Sequence, residues 1–166
     1  MTHDVYGLRE YLKRYRRTIA PNARRLHLLY AGKEDLLLRH GRFFTPQPRP
    51  GRYRQRRAKA CFYNAFMLAQ KTGLRYVEGV AIGNIRLNYP VHHAWCVDDD
   101  DCVVDATWAN PGLAYFGVEF AIQRVAREPR DKSTFGSLLD NWAQDYPVLR
   151  EPYTHPEHAR LQRKGK

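Results

Sequence analysis

Cys61, His93 and Asp105 occur in that order along the chain, and these residue types can form a thiolate nucleophile, its activating base and the carboxylate that orients the base. Cys61 lies near the start of a stretch, residues 58–72, in which Cys61, Ala65 and Leu68 recur along one helical face and Phe62, Phe66 and Ala69 along the next. Gly73 supplies a helix stop and Leu74 its accompanying apolar contact. A helix there places Cys61 in the first turn. The unpaired N–H groups and positive dipole end at that position stabilise a thiolate and can donate to a developing oxyanion. Arg56, Arg57 and Lys59 act in the same sense. A lone cysteine is more often a small buried hydrophobe, so its chemical reading depends on His93 and Asp105.

The elements that must position these groups follow from pattern. Arg75 to Ile82 reads as a strand, and a hairpin follows the loop around Asn84 to Pro90: Val91 to Val97, a turn of Asp98 to Asp101, then Cys102 to Thr107. Neighbouring strands lie about 5 Å apart, which lets a histidine on one meet an aspartate on the other. The four aspartates point in divergent directions and read as a solvated turn rather than a metal site. If the loop is 98–101 alone, Val97 opposes Cys102 and His92 opposes Thr107, which puts His92 on the Asp105 face. A bulge or an odd loop length puts His93 there instead.

Around this centre, Val5, Leu8, Leu12, Tyr15 and Ile19 predict an amphipathic helix over 4–18 that packs by its apolar stripe. A second helix is expected over 22–30 after Pro21, and a third over 34–40 after Gly32. Residues 41–53, with Pro46, Pro48, Pro50 and Gly51, form a loop. After the Asn110-Pro111-Gly112 turn, Tyr115 to Val125 is apolar enough for a strand. Ser133 can cap a helix over 136–145 whose Leu138, Leu139, Trp142 and Tyr146 face inward, and the tail from Glu151 is expected to be loosely held.

The 166 residues, 43% hydrophobic, suit a single domain over 1–150 (a helical and basic part, 1–57, and a catalytic core, 58–126) followed by a basic tail, 151–166. No apolar run of membrane-spanning length and no signal-peptide pattern is seen, which makes the cytoplasm the expected location and a membrane an unexpected partner. Three cysteines without a CxxC spacing fit neither a disulfide framework nor a zinc knuckle. The net charge of +11 is uneven: between Leu36 and Val77 there is no acidic residue. Arg39, Arg42, Arg49, Arg52, Arg54, Arg56, Arg57, Lys59, Lys71 and Arg75 all fall in that interval. Such a segment attracts polyanions or acidic surfaces, with Arg52, Arg54, Arg56 and Arg57 as its densest anion-binding candidates; a solvated basic surface is the plain alternative.

His93-Ala94-Trp95, with Asp105-Ala106-Thr107-Trp108 beginning twelve residues after His93, resembles the histidine and aspartate motifs of transglutaminase-like cysteine enzymes. The Ala60-Cys61 helix, running through Leu68 and Gly73 into Arg75-Tyr76-Val77-Glu78-Gly79, is similar to their cysteine helix and following strand. The resemblance covers residues 57–117 and departs from the family where Ala60 replaces a frequent glycine and Ala106 a frequent proline. It implies an α+β, papain-like core, the cysteine helix packed on an antiparallel sheet with extra N-terminal helices. Cys61 would be the nucleophile, His93 the general base and Asp105 the orienter, with no cofactor. Gln55, six residues before Cys61, has the spacing of the oxyanion-donor glutamine of papain-like proteases; the Cys61 N–H is the other donor. Asn64 reads as a local hydrogen bonder. The expected activity is hydrolysis of, or acyl transfer from, an amide or ester in a protein or peptide substrate. The alternative is an inert basic protein that binds nucleic acid or an acidic partner through residues 39–75.

Overall fold

In the computed structural model, which describes residues 6–25, 27–83, 89–128 and 135–157, two helices precede the sheet: α1, Leu8–Arg25, and α2, Lys33–His40. Leu8, Leu12, Leu36 and Leu37 are fully buried in the main core, the pattern that an i, i+4 spacing dictates. Asp35 fastens the pair by accepting from Arg16 of α1, Arg39 of α2 and the Ala31 N–H. The expected break before Pro21 and the separate helix over 22–30 are not found, because α1 continues through the proline, which has no N–H to give to the helical ladder. The N–H groups of Leu29 and Tyr30 instead donate to Leu149 O, which ties this connection to the C-terminal region. Tyr15 is 46% exposed rather than packed; Val5 and the Ile19 side chain lie outside the description.

The strands are β1, Arg42–Phe44; β2, Arg75–Ile82; β3, Pro90–Val97; β4, Val103–Val104; and β5, Ala114–Phe120. They form one antiparallel sheet in the order β1-β5-β2-β3-β4. The sheet curls until its outer strands meet: Thr45 N–H donates to Asp101 O (3.0 Å) and Val103 N–H to Thr45 O (2.8 Å). Gly79 and Gly117 face each other in this curl, and a Cβ on Gly79 would come within 2.1 Å of Phe116 O. Alternation sorts the side chains between two cores. Inside the curl, Phe44, Val77, Trp95, Val97, Val103 and Tyr115 pack together. Outside, Tyr76, Val80, Ala94, Cys96, Phe116 and Val118 are covered by the leucines of α1 and α2 and by Ala65, Leu68 and Ala69 of α3, Cys61–Thr72. Gly73 ends α3 in the left-handed conformation, φ 78°, its N–H donating to Ala69 O.

β5 stops at Phe120, short of the predicted Val125. Ala121 O accepts from Arg124 and Val125 and begins a short helix, α4, Ile122–Arg127, whose buried Val125 lies three residues after Ile122. No helix forms over 136–145, and its predicted cap Ser133 lies outside the described residues. The N–H groups of Leu138 and Leu139 go to the Glu78 carboxylate instead of a helical ladder. Only a single 3-10 turn, Trp142–Gln144, follows, and it leaves Trp142 73% exposed while Leu138 and Leu139 are buried. After α5, Pro147–Arg150, residues 151–157 are held rather than loose: Tyr153 N–H donates to Tyr30 Oη and Tyr153 Oη to Glu119 O. The rest of the predicted tail, 158–166, lies outside the described residues, within which no helix is long and apolar enough to cross a membrane.

Candidate active site

The β3–β4 connection decides which histidine meets Asp105. Asp98 N–H donates to Cys102 O and Val97 pairs with Val103, so the loop includes Cys102 and is one residue longer than the four-aspartate turn. The odd length turns His93 to the Asp105 side, and His93 Nε2 lies 2.8 Å from Asp105 Oδ2, with both residues buried. Asp105 Oδ2 also accepts from Tyr115 Oη (3.0 Å), while Oδ1 accepts the N–H groups of Thr107 (2.7 Å) and Trp108 (3.1 Å). Gly112 N–H in turn donates to Tyr115 Oη (2.8 Å). The Trp108 indole stacks on the His93 ring.

These contacts set the charges. Burial alone disfavours a charged His93, but the hydrogen bond to Asp105, the interaction with Cys61 and the Asp105 charge overcome that and raise its pKa to about 9. Burial likewise works against the Asp105 carboxylate, yet the His93 bond and charge and the two backbone donors hold its pKa below the ordinary value. The pair is therefore an imidazolium–carboxylate at neutral pH, and stacking on Trp108 favours the same charged form.

Cys61 reaches His93 from the first residue of α3 and is half-buried there. The helix begins one turn later than the predicted residue 58: 58–60 form a turn with Lys59 at φ 60°, and the first ladder bond runs from Asn64 N–H to Ala60 O. The Cys61 N–H thus precedes the ladder, as an oxyanion donor must.

The cysteine loop is stitched to the aspartate loop. Arg56 N–H donates to Ala106 O (2.7 Å), and buried Asn64 Nδ2 donates to Arg57 O (2.7 Å) and Thr107 Oγ1 (3.0 Å). Gln55, the other predicted oxyanion donor, is exposed and directs its amide to Thr107 O at 3.4 Å, where it supports the same seam. Arg49 extends one guanidinium to the carbonyls of Tyr53, Asp105 and Trp108.

His92 faces the other side of β3. It lies 3.3 Å from Ser137 Oγ and edge-on to Phe62, and burial together with the Lys33 charge pushes its pKa down to about 3. Ser137 Oγ donates to Glu78, a wholly buried carboxylate that also accepts from Tyr76 Oη and from the Leu138 and Leu139 N–H groups. Burial nevertheless raises the Glu78 pKa.

The basic interval is not one surface. Arg39 pairs with Asp35, and Arg42 and Arg75 both pair with Asp101 and Glu119. The acidic turn is accordingly not merely solvated, since Asp101, at φ 62°, closes that network and has its pKa lowered to about 2 by the Arg42 hydrogen bond first. Of the four predicted anion-binding residues, Arg52, Arg54 and Arg57 are exposed, and Arg56 is half-buried. No family model, no curated protein and no solved structure matches the chain.

Sequence pattern does not single out Tyr115, Arg49 or Glu78, which act across 10, 56 and 60 residues of chain respectively. Trp108 belongs to the DATW motif, but its place over His93 follows only from the fold.

Proposed function

We propose that the protein is a cysteine-dependent amide or ester hydrolase or acyltransferase of the transglutaminase-like kind. The observation that carries the reading is that one buried imidazole, His93, bonds Asp105 and is also acted on by Cys61, at the start of α3, which helps raise its pKa. That arrangement provides a nucleophile, a proton carrier and an orienter without any further group. The motif resemblance and the α+β framework of a cysteine helix packed on an antiparallel sheet are consistent with it.

In this mechanism the Cys61 sulfur attacks the acyl carbon, forming a C–S bond while the carbonyl electrons move to oxygen, beside the Cys61 N–H. The oxyanion collapses, the bond to the leaving nitrogen or oxygen breaks, and His93 delivers its proton to the departing atom. Water or an amine, giving a proton to His93, then attacks the thioester and releases the acyl group, which restores Cys61. Asp105 keeps the ring oriented and its charge balanced throughout.

Intact-mass analysis after mixing with p-nitrophenyl acetate tests the reading. The expected result is an acetyl thioester confined to Cys61, followed by its hydrolysis, and loss of both in Cys61→Ala. p-Nitrophenol release that persists in Cys61→Ala, together with no acetyl adduct on Cys61 in the wild type, would refute it.

A further inference from the structure

The cations of the acid-free interval differ in what they bind. Arg39, Arg42 and Arg75 are paired with carboxylates, and Arg49 is bound to three backbone carbonyls. Arg54, Arg57 and Lys59 are exposed, and among the described residues none of them forms an ion pair. Apart from Lys71, in the last turn of α3, the exposed cations of the interval without an ion pair lie in the chain that leads directly into Cys61.

The backbone bearing these three is fixed in place. The Arg56 N–H bond to Ala106 O and the Asn64 bond to Arg57 O, both 2.7 Å, hold the loop against the segment that carries Asp105. Lys59 occupies a left-handed turn two residues before the nucleophile. Asp105, on the facing segment, does not neutralise them, because it is buried and both its oxygens are occupied. Three like charges held together without counter-ions repel one another, and an anionic ligand relieves that repulsion.

Resting on the reading of Cys61 as an acyl-accepting thiol, we infer that the acyl donor is an acidic peptide, with carboxylates next to the attacked amide held by Arg54, Arg57 and Lys59. A nucleic acid would meet the same charge but brings the thiol no acyl group to accept. The one aromatic residue within 51–59, Tyr53, is half-buried with the Arg52 guanidinium over its ring, so this loop offers no free stacking platform for bases.

The test compares alkylation of Cys61 by iodoacetate, an anion, and iodoacetamide, its neutral analogue, read by peptide mass spectrometry. Both reagents consume the thiolate, so the ratio of their rates cancels any change in its population. The ratio is expected to fall about tenfold at low ionic strength in the triple variant Arg54→Gln, Arg57→Gln, Lys59→Gln. It is expected to fall likewise in the wild type as salt is raised, a measurement that stands even if the variant misfolds. Octaglutamate is expected to slow iodoacetamide labelling of Cys61 in the wild type more than an octathymidylate does, and to lose that effect in the variant. An unchanged ratio with a fast Cys61 overturns the acidic-peptide assignment alone, and so does stronger protection by octathymidylate. A Cys61 no faster than Cys102 with iodoacetamide overturns the thiol reading and this inference with it.

Discussion

The Trp108 indole lies parallel to the His93 imidazole, 4.1 Å between ring centroids and 8° between planes. The stack covers the His93–Asp105 bond on one side and sets the electron-rich face of the indole against a ring that carries charge at neutral pH. Trp108→Phe keeps an aromatic cover with a weaker quadrupole. The His93 pKa should fall by about half a unit, the equivalent of roughly 0.7 kcal/mol of cation–π stabilisation. NMR titration of the His93 ring checks this, and an unchanged pKa would reduce Trp108 to a packing residue.

Tyr115 joins Asp105 to the turn before β5. Tyr115→Phe removes the donor to Asp105 Oδ2 and leaves the buried Gly112 N–H without its acceptor. A loss of about 1–3 kcal/mol in unfolding free energy is expected, measured by urea denaturation, together with a rise in the Asp105 pKa. A substitution that costs less than about 0.5 kcal/mol would mean that neither bond persists in solution.

The buried pair gives stability a defined pH dependence. His93 has a raised folded pKa, so its contribution is fully present below the unfolded value of about 6.5 and is lost as pH rises through about 9. Asp105 has a lowered one, so its contribution is present above about pH 4 and is lost as pH falls below it. The His93 limb corresponds to about 3 kcal/mol. Chemical denaturation between pH 6.5 and 10 should show that decline in the wild type and not in His93→Gln, and parallel curves for the two proteins would contradict the pairing.

Glu78 holds residues 137–139 across the outer face of β2. Glu78→Gln replaces one acceptor oxygen with a donor, which faces N–H and O–H groups that already donate. A loss of about 1–3 kcal/mol and faster amide exchange at Leu138 and Leu139 are expected, read by hydrogen-exchange mass spectrometry. Because burial raises the Glu78 pKa, the wild-type carboxylate contributes most when protonated at low pH and less as pH rises through its folded pKa, so the Gln penalty should be smaller at neutral than at acid pH.

The elements whose periodicity is set by local burial were legible from residues alone: β2 has its predicted bounds, Arg75–Ile82, and α3 ends at Gly73. The His93–Asp105 meeting was legible as a consequence of two adjacent strands, but its register turned on whether Cys102 belongs to the loop, a choice made by one hydrogen bond from Asp98 N–H. The errors arise where distant groups capture local backbone. Glu78 takes the N–H groups that a helix over 136–145 would need, and Ala121 O redirects the end of β5 into α4. The basic interval looked uniform because its counter-charges, Asp35, Asp101 and Glu119, are remote or outside it in sequence. Gln55 fits a spacing rule, but its amide supports the Thr107 seam.

The central claim is that His93 activates Cys61, and the rate of alkylation of each cysteine by iodoacetamide as a function of pH tests it most directly, in the wild type and in His93→Ala. Cys96 is buried and donates to Ala65 O, and the Cys102 pKa is raised by burial first and then by its neighbouring aspartates, so both serve as internal references. The account predicts that Cys61 alone reacts rapidly below about pH 7 and that His93→Ala removes this advantage. Equal rates for Cys61 and Cys102 across the pH range, or a fast Cys61 that is indifferent to His93→Ala, would contradict it.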